Sequence, residues 1–159
     1  MSHQLDEIDI AILNYLQSHG RAQRNKLAQI VNLSVPSVSE RMRKLEEKKL
    51  IQGYHAVLNA KKFEFDITAF IFVEVDGSLN YSAFVDQAKS EAEVLETHSI
   101  TGDGSHVLKI RTRNTASLER LLSRIQSWQG VKKTRSNVVL STFKESMELA
   151  VDKSVKITL

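Results

Sequence analysis

Cysteine is absent from the 159 residues, which excludes disulfides, thiolate metal sites and cysteine nucleophiles. No apolar run approaches the roughly 18 residues a membrane-crossing helix needs. Residues 1–9 are polar and acidic, so they do not read as a signal peptide. The reducing cytoplasm is the expected compartment. The five histidines, His3, His19, His55, His98 and His106, contain no H-x-x-x-H pair, and neither a P-loop nor a G-x-G-x-x-G run occurs. No metal and no cofactor is therefore expected. Asp103 with His106 is the one acid–base pair that can be imagined, and two such residues beside a turn more commonly serve as surface polar groups. An enzyme is accordingly the less favoured reading. Proline occurs once, as Pro36, which makes its position informative.

What is present is an uneven distribution of charge. Residues 1–62 carry ten basic and six acidic side chains, whereas the remainder carries twelve and thirteen. The excess is densest over residues 21–49, at eight against three, as expected of a phosphate-binding surface. Within that stretch Leu27, Ala28 and Val31 keep helical spacing, as do Val38, Met42 and Leu45. Ser34 is a good N-cap between them, and Pro36 fits only in a first turn, where its missing N–H costs nothing. Leu33 is an apolar plug in the corner. The pattern predicts a helix-turn-helix, whose second helix enters the DNA major groove. Turned at 100° per residue, that helix puts Pro36, Ser37, Glu40, Arg43 and Lys44 outward, with Arg41 on the flank. Cations and short hydroxyls suit phosphates and base edges, so Ser34, Pro36, Ser37, Glu40, Arg41, Arg43 and Lys44 are the candidate DNA contacts, Arg41 and Lys44 foremost. An ordinary amphipathic helix with a solvated face is the plainer alternative.

Before this motif, residues 5–20 read as a helix. Asp6, Glu7 and Asp9 load its positive end, and apolar residues occupy two sides: Ile8, Ile12, Tyr15 and Leu16 on one, Ile10 and Leu13 on another. Two apolar sides predict two neighbours, the trihelical core and a partner subunit. After the motif, residues 54–58 read as a wing or linker strand. Residues 67–75 form a nearly continuous β-branched and apolar run. An amphipathic helix over 81–88, capped by Asn80, follows. Strands over 94–101 and 106–113 flank the turn Gly102-Asp103-Gly104. The strongest helical stripe is Leu118, Leu121, Leu122, Ile125 and Trp128. A strand over 131–143 ends in Val138-Val139-Leu140. The order β-α-β-β-α-β is the ferredoxin-like split unit, with both helices on one face of the sheet. Apolar residues on both sides of the first and last strands predict that a second copy covers the other face.

The divisions expected are residues 1–53 for the helix-turn-helix, 54–66 for the linker strand and hinge, 67–143 for the ferredoxin-like domain and 144–159 for a tail. That tail alternates weakly at Val151, Val155, Ile157 and Leu159.

These residues resemble the Lrp/AsnC family of transcription regulators. The likeness lies in Leu5-Asp6-Glu7-Ile8-Asp9, Ile12-Leu13, Gly20-Arg21, Leu27-Ala28, Leu33-Ser34, Arg41-Met42-Arg43-Lys44-Leu45-Glu46, Ile51-Gln52-Gly53-Tyr54 and Thr101-Gly102-Asp103, with Gly130-Val131, Thr134-Arg135 and Val138-Val139 in register. The resemblance implies an α+β chain: a winged-helix-like DNA-binding domain, a linker strand and a C-terminal sandwich called the RAM domain. It implies double-stranded DNA as partner, dimers that assemble into tetramers or octamers, and an amino-acid effector held between dimers. Carried to this sequence, the effector site would comprise Gly102, Asp103, Gly104 and Ser105, with Asn137 and Val138 from the last strand. Two glycines would let backbone N–H groups approach a carboxylate, and Asp103 and Ser105 would accept from an ammonium. The sequence departs from the family pattern at Gly104, commonly a large apolar or aromatic residue, and at Ser105, commonly acidic. Gln23 replaces the usual hydroxyl cap before the second helix. An effector-independent architectural DNA-binding protein shares every DNA-binding feature and stands as the alternative. Without the resemblance, Gly102–Ser105 is a plain hairpin turn.

Overall fold

A computed structural model describes residues 5–154. His3 and the alternation expected at Val155, Ile157 and Leu159 lie outside the described residues. Two compact units form, one from the chain up to Val57 together with the chain from Lys144 onward, the other from Leu58–Phe143.

The first unit holds α1 (Glu7–Ser18), α2 (Arg24–Val31) and α3 (Val35–Glu47). Helix α1 is shorter than the expected span of 5–20. Asp6 Oδ1 accepts from the Asp9 N–H at 2.8 Å and fixes its start, and the His19 N–H bonds Tyr15 O to end it. Ile12, Leu16, Leu27, Ala28, Val38, Met42 and Leu45 make the core, with Leu5. Each large aliphatic side chain buried this way contributes about 2 kcal/mol.

Helix α1 also meets the chain that follows Lys144, within the same unit. Val151 packs against the same core. Gln17 exchanges two bonds with the Leu149 backbone, donating to its O at 2.9 Å and accepting from its N–H at 2.6 Å. Asn14 donates to Val151 O at 3.0 Å, and Lys153 pairs with Glu7.

The second unit contains β1 (Ile67–Val75), α4 (Tyr81–Ser90), β2 (Val94–Ser99), β3 (His106–Thr112), α5 (Thr115–Gln126) and β4 (Val131–Val138). The sheet is antiparallel with order β2-β3-β1-β4, the ferredoxin-like arrangement. Ala69, Ile71, Val73 and Val75 of β1 and Leu108 and Ile110 of β3 face Phe84, Ala88, Leu118, Leu121 and Ile125 of the two helices. Asn114 and Ser117 bond reciprocally as a capping box at the start of α5.

Several expectations are corrected. Residues 54–58 join no strand ladder among the described residues. Asn80 does not cap α4 with its side chain; a 3₁₀ turn, Ser78–Asn80, precedes the helix, and Asn80 Nδ2 donates to Asp76 O at 2.6 Å. Strand β4 stops at Val138, and Leu140 and Phe143 lie exposed beyond it. Nor is β4 apolar on both sides: Thr134 and Ser136 pair with Val73 and Ile71, while Arg135 and Asn137 pair with Phe72 and Phe70 on the opposite face. That face mixes Phe70 and Phe72 with cations and is half apolar, not wholly so.

Candidate nucleic-acid interface and effector loop

Helix α3 begins at a hydroxyl. Ser34 Oγ accepts from the Ser37 N–H at 3.3 Å and lies 2.7 Å from Ser37 Oγ. Pro36 occupies the first turn. Upstream, Asn32 takes the left-handed conformation (φ 52, ψ 48) to end α2, and the Leu33 N–H then bonds Ala28 O at 3.0 Å. Asparagine tolerates this region better than most residues, so the corner needs no glycine. Leu33 packs on the core as the expected plug. Val38, Met42 and Leu45 turn inward, leaving Pro36, Ser37, Glu40, Arg43 and Lys44 exposed.

Arg41 makes ion pairs that the sequence reading did not assign. Its Nη1 donates to Asp6 Oδ2 at 2.7 Å and to Asp9 Oδ1 at 2.8 Å, and Asp9 is buried. Burial pushes the Asp6 carboxyl up, but the Asp9 N–H and the Arg41 guanidinium outweigh it and hold that carboxyl below its usual range. The sequence reading treated Asp6 and Asp9 only as dipole charges. In the structure they anchor α3 to α1 through Arg41.

Arg43 grips Glu40 with two bonds, Nη2 to Oε1 at 2.7 Å and Nε to Oε2 at 2.9 Å, and pairs also with Glu47. Lys44 Nζ stands 3.6 Å from Glu40 Oε1. The bonds from Arg43 pull the Glu40 carboxyl down to about 2. Pairs this exposed are held only weakly, so a phosphate can displace the carboxylates. Nearby, Arg21, Gln23, Arg24, Asn25 and Tyr54 line a cleft of about 530 Å³. Gln23 gives α2 no side-chain cap, as its substitution for a hydroxyl residue implied.

In the other unit the Gly102–Ser105 loop joins β2 to β3, closed by Ile100 N–H donating to Ser105 O at 3.0 Å. Gly102 (φ 97) and Gly104 (φ 101) occupy backbone that L side chains avoid. A Cβ on Gly104 would also stand 3.0 Å from Val73 O. Ser105 faces inward and not toward a ligand: its Oγ accepts from the Val75 N–H at 3.0 Å and lies 2.9 Å from His106 Nδ1. Asp103 points out and pairs with Arg135 at 3.0 Å, and the Arg135 guanidinium lies 4.8 Å from the centre of the Phe72 ring. Asp103 and His106 are thus not brought together as an acid–base pair. Asn137 and Val138 pair with Phe70 and Ala69, three and four residues along β1 from Val73, where Gly104 and Ser105 pack. At about 3.4 Å per residue that is roughly 10 Å, too far to share one small ligand with the loop of the same chain. Arg135 is the loop's neighbour on β4. The sequence reading matched Thr134-Arg135 to the family without assigning it to the site.

A capped helix-turn-helix with an exposed cationic face, carried on one chain with a ferredoxin-like domain, defines a class of DNA-binding regulator. Comparison with known proteins agrees with this class over the whole chain. Residues 5–52 match the model for a winged helix-turn-helix DNA-binding domain, and residues 68–149 match that of the Lrp/AsnC ligand-binding domain. The chain belongs to the Lrp/AsnC family of DNA-binding transcriptional regulators. It is 35% identical over 147 residues to the HTH-type transcriptional regulator FL11 of Pyrococcus horikoshii, covering 92% of this chain and 97% of that protein. It is 35% identical over 154 residues to the leucine-responsive regulatory protein of Escherichia coli K12, covering 92% of each. Among solved structures, a Neisseria meningitidis transcriptional regulator in complex with L-methionine superposes with a TM-score of 0.89 at 26% identity, covering 95% of this chain and 99% of that one. The feast or famine regulatory protein of M. tuberculosis, complexed with L-methionine, superposes at 0.85 with 32% identity, covering 91% and 98%. These relatives are transcriptional regulators and not enzymes.

Proposed function

We propose that this regulator works in the cytoplasm as a homo-oligomer, reads double-stranded DNA with the outer face of α3, and responds to an amino acid held at the Gly102–Ser105 loop between two copies. The observation that carries the DNA reading is the exposed row Ser37, Glu40, Arg43 and Lys44 on a helix whose other side is fully packed. Ser34, Pro36 and Ser37 present the narrow, hydroxyl-bearing end of α3 to the groove. Arg43 and Lys44 neutralise phosphates once released from Glu40, and Glu40 is then free to accept from a cytosine amino group. Arg41 holds the helix at its working angle through Asp6 and Asp9. Two-fold pairing of sheet faces around Phe70 and Phe72 would set two such helices on half-sites about 34 Å apart.

For the effector, the open space around Gly102 lets a carboxylate approach the loop backbone, and Asp103 supplies the acceptor for an ammonium. Asn137 and Val138 would come from a neighbouring copy, as dimers assemble into tetramers or octamers. The amino acids bound by the Neisseria and mycobacterial relatives support this reading. The inward turn of Ser105 favours the alternative, an architectural DNA-binding protein without an effector.

The test is direct. Operator fragments selected from genomic DNA are titrated at several salt concentrations. Lys44→Ala should weaken binding uniformly across sequences and reduce the salt slope by about one. An unchanged slope removes α3 from the interface. A thermal-shift series over the twenty amino acids then decides between the two readings, since a ligand bound only by the native form raises the midpoint. Gly102→Trp should abolish any response while apo DNA binding survives.

A further inference from the structure

Helix α4 lies against the edge strand β2 with a groove between them. On β2, Thr97 and Ser99 pair with Leu108 and His106, so their side chains share the face that the helices cover. A core position there would call for valine or isoleucine, yet both are hydroxyl residues. The groove between α4 and β2 has a volume of about 470 Å³. Val85 and Ala88 form one wall, Thr97 and Ser99 the other, Lys89 stands at the rim and His106 closes the inner end.

His106 is the informative residue. It is only 1% exposed and wedged between Tyr81 and Phe84, whose ring centres lie 4.8 and 4.7 Å away. Its Nδ1 meets Ser105 Oγ at 2.9 Å, while its Nε2 has no partner among the described residues. Val73 O already accepts from the Ser105 N–H at 2.9 Å, and the Ser105 hydroxyl stands 3.2 Å from it, farther than from His106. The hydroxyl hydrogen therefore goes to Nδ1, which leaves the proton of the neutral imidazole on Nε2 as an unused donor. Burial favours the neutral ring by lowering its pKa. A buried donor left unpaired is unfavourable, and an arriving acceptor removes that penalty.

The remaining chemistry narrows the acceptor. Neither Lys89 nor the hydroxyls of Thr97 and Ser99 make a side-chain bond among the described residues. The one acidic residue in the lining, Glu96, is on the opposite sheet face, bonded to Lys109 at 2.9 Å and to His98 at 3.3 Å. The groove thus offers a cation, hydroxyls and an N–H donor against an aliphatic wall, and no carboxylate to receive an ammonium. We propose that the groove between α4 and β2 binds a short aliphatic carboxylate lacking an ammonium group, such as a branched 2-oxo acid, at a site separate from the Gly102–Ser105 loop. Lys89 and Ser99 bind the carboxylate, His106 donates from Nε2, and Val85, Ala88 and Val94 hold the aliphatic body.

The probe is 4-methyl-2-oxopentanoate, titrated calorimetrically into the full-length protein, with L-leucine as its amine counterpart. Lys89→Met and Ser99→Val should each weaken the oxo acid by about tenfold. Gly102→Trp should leave that affinity unchanged. In long-range ¹H–¹⁵N spectra the Nε2 resonance of His106 should move on addition of the oxo acid and stay still with L-leucine. Both variants lie at the groove's edge, and a thermal melt verifies their fold. No binding of the oxo acid, equal affinity in both variants, or loss of binding in Gly102→Trp would each overturn the proposal. None of these outcomes bears on whether α3 reads DNA.

Discussion

Two glycines in one loop look interchangeable in a sequence and are not. At Gly102 a side chain meets only open space, so Gly102→Ala incurs the backbone penalty alone, about 1 kcal/mol. At Gly104 the same penalty is joined by a Cβ pressed on Val73 O, so Gly104→Ala should cost about 2 kcal/mol or more. Paired thermal melts of the two variants test the ranking. Arg41 invites a second comparison. Arg41→Ala strands the buried Asp9 and should destabilise the N-terminal unit by about 2–3 kcal/mol, seen in denaturant melts followed by circular dichroism. The Asp6 carboxyl is held below its unfolded value of 3.8, so its contribution is present above that pH and is lost as pH falls through the lowered folded value. The wild-type protein should therefore lose stability below about pH 4 more steeply than Arg41→Ala.

Among the elements, α3 was the most legible. Ser34, Pro36 and the inward stripe of Val38, Met42 and Leu45 specify a helix start and a buried side by local chemistry alone. Ser34→Ala should cost about 1 kcal/mol of stability and weaken DNA binding by loosening the first turn, which melting and anisotropy can measure together. Helix α5 was equally readable from Leu118, Leu121 and Ile125. The end of β4 was not. Val138-Val139-Leu140 has strand propensity, but the ladder ends at the Ala69–Val138 pair, and after one more bond, from the Val139 N–H to Thr68 O at 2.8 Å, the chain leaves the sheet although β1 extends to Ile67. The ion pairs of Arg41 were illegible for a related reason. A helical wheel places it on the flank, and its partners Asp6 and Asp9 lie 35 and 32 residues away in sequence. Local pattern shows which side of an element is buried. It does not show which distant group claims a side chain at the boundary, and the inward turn of Ser105 is another case.

For the molecule as a whole, the order of strands and helices follows from hydrophobic periodicity, and the family relationship from motifs spread along the chain. The sheet face bearing Phe70, Phe72 and Arg135 is where assembly can be probed. Phe70 is 38% exposed, and Phe70→Glu would bring a charge to any paired face. Sedimentation should show this variant reduced to monomers, with its helical signal retained. An unchanged mass would place the two-fold contact elsewhere.

The bonds from Asn14 and Gln17 to Leu149 and Val151 impose an order of manufacture. A ribosome releases the three helices before the whole ferredoxin-like domain, and the segment that lies along α1 only after it. At about 5–20 residues per second, the interval from Glu47 to Lys153 is roughly 5–20 s. Throughout that interval the flank of α1 stands bare, so the unit that meets DNA waits for the other to be made before it is finished.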